Sequence, residues 1–447
     1  MAGTIVSIAG SKQHTLNAIA RAIIAGRELT IRNPYPVLDV DRCNLLLCNW
    51  GMYLLNEDDL LYVKMAEDPK TEEMDLIAAR DGYEIDDIVA LLSALKMRMN
   101  VGFDLVDDED FRRKILILRR VGVHFPEDAS EINKRFLYVE DVKLARIKFN
   151  FLKTNYDLAE FMALLAVVCD AEIEMLSKFD ISAPLYDYVY PFETKLNHLG
   201  KTDAISHELE KRMQKLAKAK KRMKYHFEIR RKNADPGDSI DLAADPLVAA
   251  YATVMAIIYG NENIGIGPYR KSEGDRLFAR ILNRFGVKAD FGPGAKSEKE
   301  GMYYLKVTVE ELISKKVDEE LLRGCNYAFA PLALLAAFMK GKTILRGLAK
   351  SSSLWRKRIS GVAAILSSAG VRVGEMEDGL VIESCQEFGD IAYHEFDDPY
   401  LHLAQFAMAV VINSKPPKEE FFQFSKHYPH FLACLDSFRP SAKSLAS

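Results

Sequence analysis

The side chains best suited to chemistry form few recognisable constellations. The six cysteines (Cys43, Cys48, Cys169, Cys325, Cys385 and Cys434) make no CxxC pair. Most sit in apolar runs, the setting of buried, reduced thiols in a cytosolic protein. The nine histidines are scattered, with no HExxH-type spacing. Neither pattern supplies the convergent donors a metal needs, so no metal site and no cofactor is expected. Charge is the remaining resource. Lys12 follows Gly10-Ser11 at a predicted helix start, where it is either a usable point charge or a solvated lysine. Asp398, just before Pro399, has the type and place of a helix N-cap. Eleven Lys or Arg lie between Lys211 and Lys232. They read as the solvated face of a docked helix or, alternatively, as a contact for an anionic or protein partner.

The elements that must position these groups are those of an α/β protein. At 447 residues the chain is long enough for two or three domains, and its 49% hydrophobic and 28% charged content is that of a globular protein. A net charge of −4 supplies no field to attract nucleic acid, so no nucleic-acid partner is expected. The longest apolar run, Phe161 to Cys169, is too short to span a bilayer. The opening MAGTIVSIAG lacks a basic region and reads as a strand, so a cytoplasmic location is expected.

Three segments share one grammar of apolar helix, break and short strand: Ala18–Asn33, Leu247–Gly267 and Leu332–Gly347, with Gly26 and Gly341 at two of the breaks. Leu158–Leu176 is a looser copy. A second grammar, an amphipathic helix running through Gly-Val into an alternating strand, occurs in Phe111–Phe125, Arg276–Phe291 and Val362–Met376. The apolar helices suit a domain interior and the amphipathic ones its outside. Asp41–Asp104 contains helical patterns but matches no repeat. Lys201–Lys232 reads as one long basic helix, with Leu209, Met213, Leu216, Met223 and Phe227 on one side. Asn233–Ser239 (NADPGDS) has a linker's composition.

The order of these units resembles the enolpyruvyl transferase family. The similarity lies in Ser7-Ile-Ala-Gly-Ser-Lys12, in Tyr269–Asp275 with RLFARILNRFGV, in Asn326–Gly347, and in Phe396–Tyr400 with LHLAQFAMAV through Leu435. It implies a two-domain fold built from repeated βαβαββ units, with a ligand cleft between domains joined by two chain crossings. Residues 1–14 and 240–447 would form one discontinuous domain. Residues 15–239 would form the other, with an insertion at 41–104 and the basic helix at 201–232. The family's reaction transfers a carboxyvinyl group from phosphoenolpyruvate to a hydroxyl and releases phosphate, which requires clustered Lys and Arg and a positioned acid and base.

By that resemblance Lys12 takes the place of the lysine that meets phosphoenolpyruvate, while Gln13 and Asn17 stand where the family has serine and arginine. Thr154-Asn-Tyr-Asp157 and Glu160 replace the glycine-rich loop and its arginine. Leu247 and Val248 replace the paired serines that hold the co-substrate phosphate. Tyr327 occupies the catalytic aspartate position, and Leu354 and Trp355 replace a lysine and a glutamate. Arg358 keeps a final arginine, Asp398 persists, and Tyr400 replaces another arginine. The expected site therefore comprises Tyr327 and Asp398 as acid–base groups, with Lys12, Gln13, Asn17, Arg358 and Tyr400 at the ligand. Two readings follow. One is a carboxyvinyl transferase related to 3-phosphoshikimate 1-carboxyvinyltransferase with an altered, phosphoenolpyruvate-like ligand. The other is a non-catalytic relative that uses the fold to bind a ligand or a protein, the latter at 201–232. A pocket that gathers Lys12, Tyr327 and Arg358 would favour the first; the same side chains turned to solvent, or packed over by Trp355 and Phe329, would favour the second.

Overall fold

The computed structural model describes residues 5–38, 40–47, 51–57, 59–66, 74–77, 99–102, 123–124, 136–139, 141–142, 150–151, 156–168, 173–177, 180–201, 225–233, 235, 237–261, 264–293, 302–348, 353–414, 418, 421, 424–425 and 428–438. The chain divides into two compact units. The first comprises Met1–Lys12, Asn33–Leu38 and Leu242–Ser447, and the second Gln13–Arg32 and Asp39–Asp241. The chain therefore passes between units four times, not two, because Asn33–Leu38 returns to the first unit. The reason is local. Asn33 Nδ2 donates to Ile8 O at 3.1 Å and Leu242 O at 3.0 Å, and Asn33 O accepts from Gly10 N at 3.1 Å. A Cβ on Gly10 would lie 2.5 Å from Asn33 O, so only glycine permits this approach.

In the first unit one sheet has the order Ile5–Ser7, Ile264–Tyr269, Tyr303–Val309, Val287–Gly292. The first pair is parallel and the others antiparallel. A second sheet, Lys342–Arg346, Gly379–Glu383, Val373–Met376, is antiparallel, with a parallel bridge from Lys316 to Ile344 at its edge. Helices Pro246–Ile258 and Phe329–Phe338 are apolar on every side, and Val248 through Ile257 and Phe329 through Ala337 are all buried. That is the composition of an internal helix, and each large side chain removed from water there contributes roughly 1.5–3 kcal/mol. Helix Glu273–Arg284 instead buries Leu277, Phe278, Ile281 and Leu282 and exposes Arg276, Arg280 and Arg284. Its start is fixed by a reciprocal capping box between Ser272 and Asp275.

The second unit repeats the pairing pattern. The order Ser239–Asp241, Leu29–Arg32, Leu60–Met65, Met52–Glu57 again has one parallel pair and two antiparallel ones. So does Asn150–Phe151, Ile173–Ser177, Tyr225–Asn233, Glu193–Lys201. Helices Lys12–Ala25 and Tyr156–Val168 supply buried apolar faces. Gly26 closes the first of these at φ 60°.

Within the expected insertion at 41–104, Met52–Glu57 and Leu60–Met65 form two strands of the sheet that holds Leu29–Arg32. The helix expected over Lys201–Lys232 is not helical at its ends, since Glu193–Lys201 and Tyr225–Asn233 are paired strands. Residues 202–224, with most of the expected partner surface, lie outside the described residues, as does the helix expected near Phe111.

Candidate functional site

Arg358, Asp398 and Tyr400 are brought together in the first unit. Arg358 projects from helix Ser353–Ser368 and Asp398 caps helix Pro399–Val411. Arg358 Nε donates to Asp398 Oδ2 at 2.7 Å and Nη2 to Oδ1 at 3.2 Å, a two-pronged contact. The same Oδ1 accepts from Tyr400 N at 3.0 Å, the N-cap bond that the sequence position anticipated. The guanidinium lies between two rings, 5.3 Å from the centroid of Trp355 and 4.5 Å from that of Tyr400. Trp355 also meets Phe329 edge-on at 6.3 Å. The Tyr400 hydroxyl accepts from Ala330 N at 2.9 Å, near the start of helix Phe329–Phe338. Burial raises the Tyr400 phenol well above its ordinary pKa, and the nearby Arg358 charge only partly offsets this.

Tyr327 lies in the short turn Asn326–Ala328 that precedes helix Phe329–Phe338. Its ring is half-buried against Phe278, at 6.3 Å between centroids, while its hydroxyl oxygen is fully enclosed. That hydroxyl faces the Asp275 carboxyl and eases its ionisation. Burial still raises Asp275, against the opposing pull of Arg270 and the Ser272 hydrogen bonds. The Tyr327 phenol is thus turned toward the interior.

The other expected site residues fall in different units. Lys12, half-buried, is the first residue of helix Lys12–Ala25 and belongs to the first unit; Gln13 and Asn17 belong to the second. Asn17, 3% exposed, donates through Nδ2 to Tyr188 O at 2.9 Å and Tyr190 O at 2.8 Å. Its Oδ1 accepts from Gln13 Nε2 at 3.1 Å. On the same helix face His14 Nε2 bonds Asp187 O at 2.9 Å, and Arg21 donates to Pro191 O at 2.7 Å. The helix therefore grips the backbone of 187–191 with a row of polar side chains. Residues 154 and 155 lie outside the described residues. Glu160 is half-buried in helix Tyr156–Val168.

One group escaped sequence reasoning. Asp245 caps helix Pro246–Ile258, its Oδ1 accepting from Leu247 N at 2.9 Å and Val248 N at 3.1 Å. Leu247 and Val248 thus contribute backbone donors to a carboxylate. Burial lifts the Asp245 carboxyl to about 6, against the lowering effect of the two N–H bonds. The phenols of Tyr35 and Tyr428 are raised chiefly by burial, with a further push from the Asp245 charge. Asp-Pro at a helix start was legible in the sequence. The tyrosines, contributed by residues some two hundred positions away on either side (roughly the scale at which only the fold brings side chains together), were not.

Two compact α/β units, several sheets of one pairing pattern and apolar helices within them define an architecture, and comparison gives it a family. The model of the family described as EPSP synthase (3-phosphoshikimate 1-carboxyvinyltransferase) matches residues 206–433. This chain belongs to that family. Over 202 residues it is 28% identical to 3-phosphoshikimate 1-carboxyvinyltransferase of Pyrococcus furiosus, covering 44% of this chain and 46% of the relative. Over 151 residues it is 30% identical to the enzyme of the same name from Novosphingobium aromaticivorans, covering 32% of this chain and 33% of the relative. The aligned stretch thus spans less than half the length of these curated relatives. In fold the chain is similar to EPSP synthase from Acinetobacter baumannii, with a TM-score of 0.63 at 15% identity over 98% of this chain and 96% of that one. It is also similar to the enolpyruvyl transferase NikO from Streptomyces tendae, with a TM-score of 0.58 at 13% identity over 92% and 88%.

Proposed function

We propose that this chain keeps the enolpyruvyl transferase scaffold without the family's phosphoenolpyruvate chemistry, and uses it to bind a ligand or a partner. The observation that carries this reading is the state of Arg358. The arginine that matches the family's motif is bound at two points by Asp398 and clamped between Trp355 and Tyr400. Its fork is already occupied by a carboxylate, so a phosphate or carboxylate ligand would have to displace that partner. Tyr327 and Tyr400, at former charged positions, turn their hydroxyls to Asp275 and Ala330 N.

The recurring sheet pattern supports repeated βαβαββ units, and the family's plan would set a ligand cleft between two domains. The test is calorimetric titration with phosphoenolpyruvate and with shikimate-3-phosphate. Neither ligand is expected to bind. Saturable binding of phosphoenolpyruvate that is weakened by R358A would overturn the proposal.

A second reading, a transferase with an altered substrate, is favoured by Asp245. A recessed carboxyl that titrates near 6 suits a proton donor or acceptor at neutral pH. It requires turnover of some hydroxyl acceptor that is abolished in D245N.

A further inference from the structure

Two asparagines in different units make the same contact with a strand. Asn283, in the last turn of helix Glu273–Arg284, donates from Nδ2 to Ala289 O at 3.2 Å and accepts at Oδ1 from Ala289 N at 3.3 Å. Asn44, in helix Val40–Leu47, donates from Nδ2 to Leu54 O at 3.0 Å and accepts at Oδ1 from Leu54 N at 2.5 Å. Each amide thus satisfies both backbone groups of one strand residue. A residue on a neighbouring antiparallel strand would exchange the same two bonds.

The two strands hold equivalent places. Val287–Gly292 is the last strand of the sheet that begins with Ile5–Ser7, and Met52–Glu57 is the last of the sheet that begins with Ser239–Asp241. Each follows its asparagine's helix in the chain, and among the described residues each pairs with a strand on one side only. The open side of such a strand offers a row of N–H and C=O groups to any extended chain. Ala289 and Leu54 sit near the middle of that row, where the asparagines take both groups.

The other sheet edges are built differently. Glu193–Lys201, the edge of its sheet, breaks register twice, between Glu193 and Thr194 and between His198 and Lys201. Val373–Met376 is four residues long and includes Gly374 and Glu375. Bulges, shortness and charge each blunt an edge. The two asparagine-bound strands are longer than the second and straighter than the first: all six residues of each pair in unbroken register. Met52–Glu57 also carries Leu55, 42% exposed, on the same face as half-buried Tyr53. A regular strand with exposed apolar side chains is a pairing hazard unless its edge is covered.

The cover at Asn283 is fixed in place. Its Nδ2 also donates to Ala279 O at 2.9 Å, on its own helix, so both amide hydrogens are used and the plane of the group is set. An extended chain would have to break this contact before it could pair with Ala289.

We propose that Asn44 and Asn283 guard the two regular sheet edges, each standing in for a further strand and closing its edge to strand addition by a second copy of this chain. The same six-residue strand in a second copy is the natural occupant of an open edge, because a two-fold axis sets it antiparallel to itself. The guard operates whether or not the chain transfers a group.

The test removes each amide from the full chain. N44A and N283A place the best helix former in each helix, so the helices persist. Parent and variants are compared by sedimentation velocity and by hydrogen exchange at the Leu54 and Ala289 amides, at about 1 and about 100 µM, within the range where open strand edges associate. At the lower concentration the guarded amide of each variant should exchange at least about tenfold faster than in the parent. At the higher concentration the variant's mass should double and the amide should regain protection, while the parent changes in neither readout. N44S and N283S, also too short to reach the strand, should behave alike and supply the test if an alanine variant fails to fold. Three results would each overturn the guard: parental exchange at the lower concentration, parental mass at the higher one, or association without renewed protection of the edge amide.

Discussion

Replacing Asp398 separates two roles that the structure gives it. Asn at 398 can still accept from Tyr400 N, so D398N keeps the helix cap but loses the charge opposite Arg358. The pair's side chains are 20% and 18% exposed. It should therefore exceed the roughly 0–1 kcal/mol of a surface pair and fall short of the roughly 3–5 kcal/mol lost on breaking a fully buried one. Two charge-assisted hydrogen bonds at 2.7 and 3.2 Å put the loss at about 2 kcal/mol. Arg358 cannot easily swing to solvent to recover it, because the rings of Trp355 and Tyr400 hold it on both sides. D398A also loses the cap, about 1 kcal/mol more. At about 2–4 °C per kcal/mol for a domain of this size class, D398N should unfold about 4–8 °C below the parent and D398A about 6–12 °C below. Differential scanning calorimetry reads both, and a double-mutant cycle with R358M should return a coupling near the same ~2 kcal/mol. A D398N transition within about 1 °C of the parent would refute the reasoning, since Arg358 would then be free to serve a ligand.

Asp245 gives a pH signature. Its folded-state pKa of about 6 lies above its ordinary 3.8, so the fold binds its proton more tightly than the unfolded chain. Its contribution to stability is complete below about pH 4 and is lost as pH rises to 6, amounting to about 3 kcal/mol. D245N removes this dependence, so urea unfolding should show the variant gaining on the parent between pH 4 and 7; a constant difference would contradict the assignment. N17A should cost about 2–4 kcal/mol in the same assay by stranding the carbonyls of Tyr188 and Tyr190; an unchanged midpoint would return Asn17 to the ligand. G10A forces a Cβ to 2.5 Å from Asn33 O, and a loss of about 1–3 kcal/mol together with changed Tyr35 NMR signals is expected.

Much of the fold was legible in the residues. The helices over Ala18–Ala25, Leu247–Ile258 and Leu332–Phe338 and the strands that follow them come directly from apolar runs broken by turn residues. The misreading of Lys201–Lys232 has a physical cause. Tyr225, Phe227 and Ile229 alternate with His226, Glu228 and Arg230, a period of two that the surrounding lysines obscured, and Ile229 is fully buried in a strand. The site was legible only as residue types. Nothing in the sequence near Arg358 reveals that its partner lies forty residues on or that Tyr400 bonds Ala330 N. Those relations depend on long-range packing, which spacing along the chain does not encode.

The central claim, a family scaffold without the family's reaction, is tested most directly by phosphate release from phosphoenolpyruvate and shikimate-3-phosphate in the presence of the full chain. Release no faster than the protein-free control is expected. Turnover at or above about 1 per second, the lower range of ordinary enzymes, that falls in R358A would contradict it.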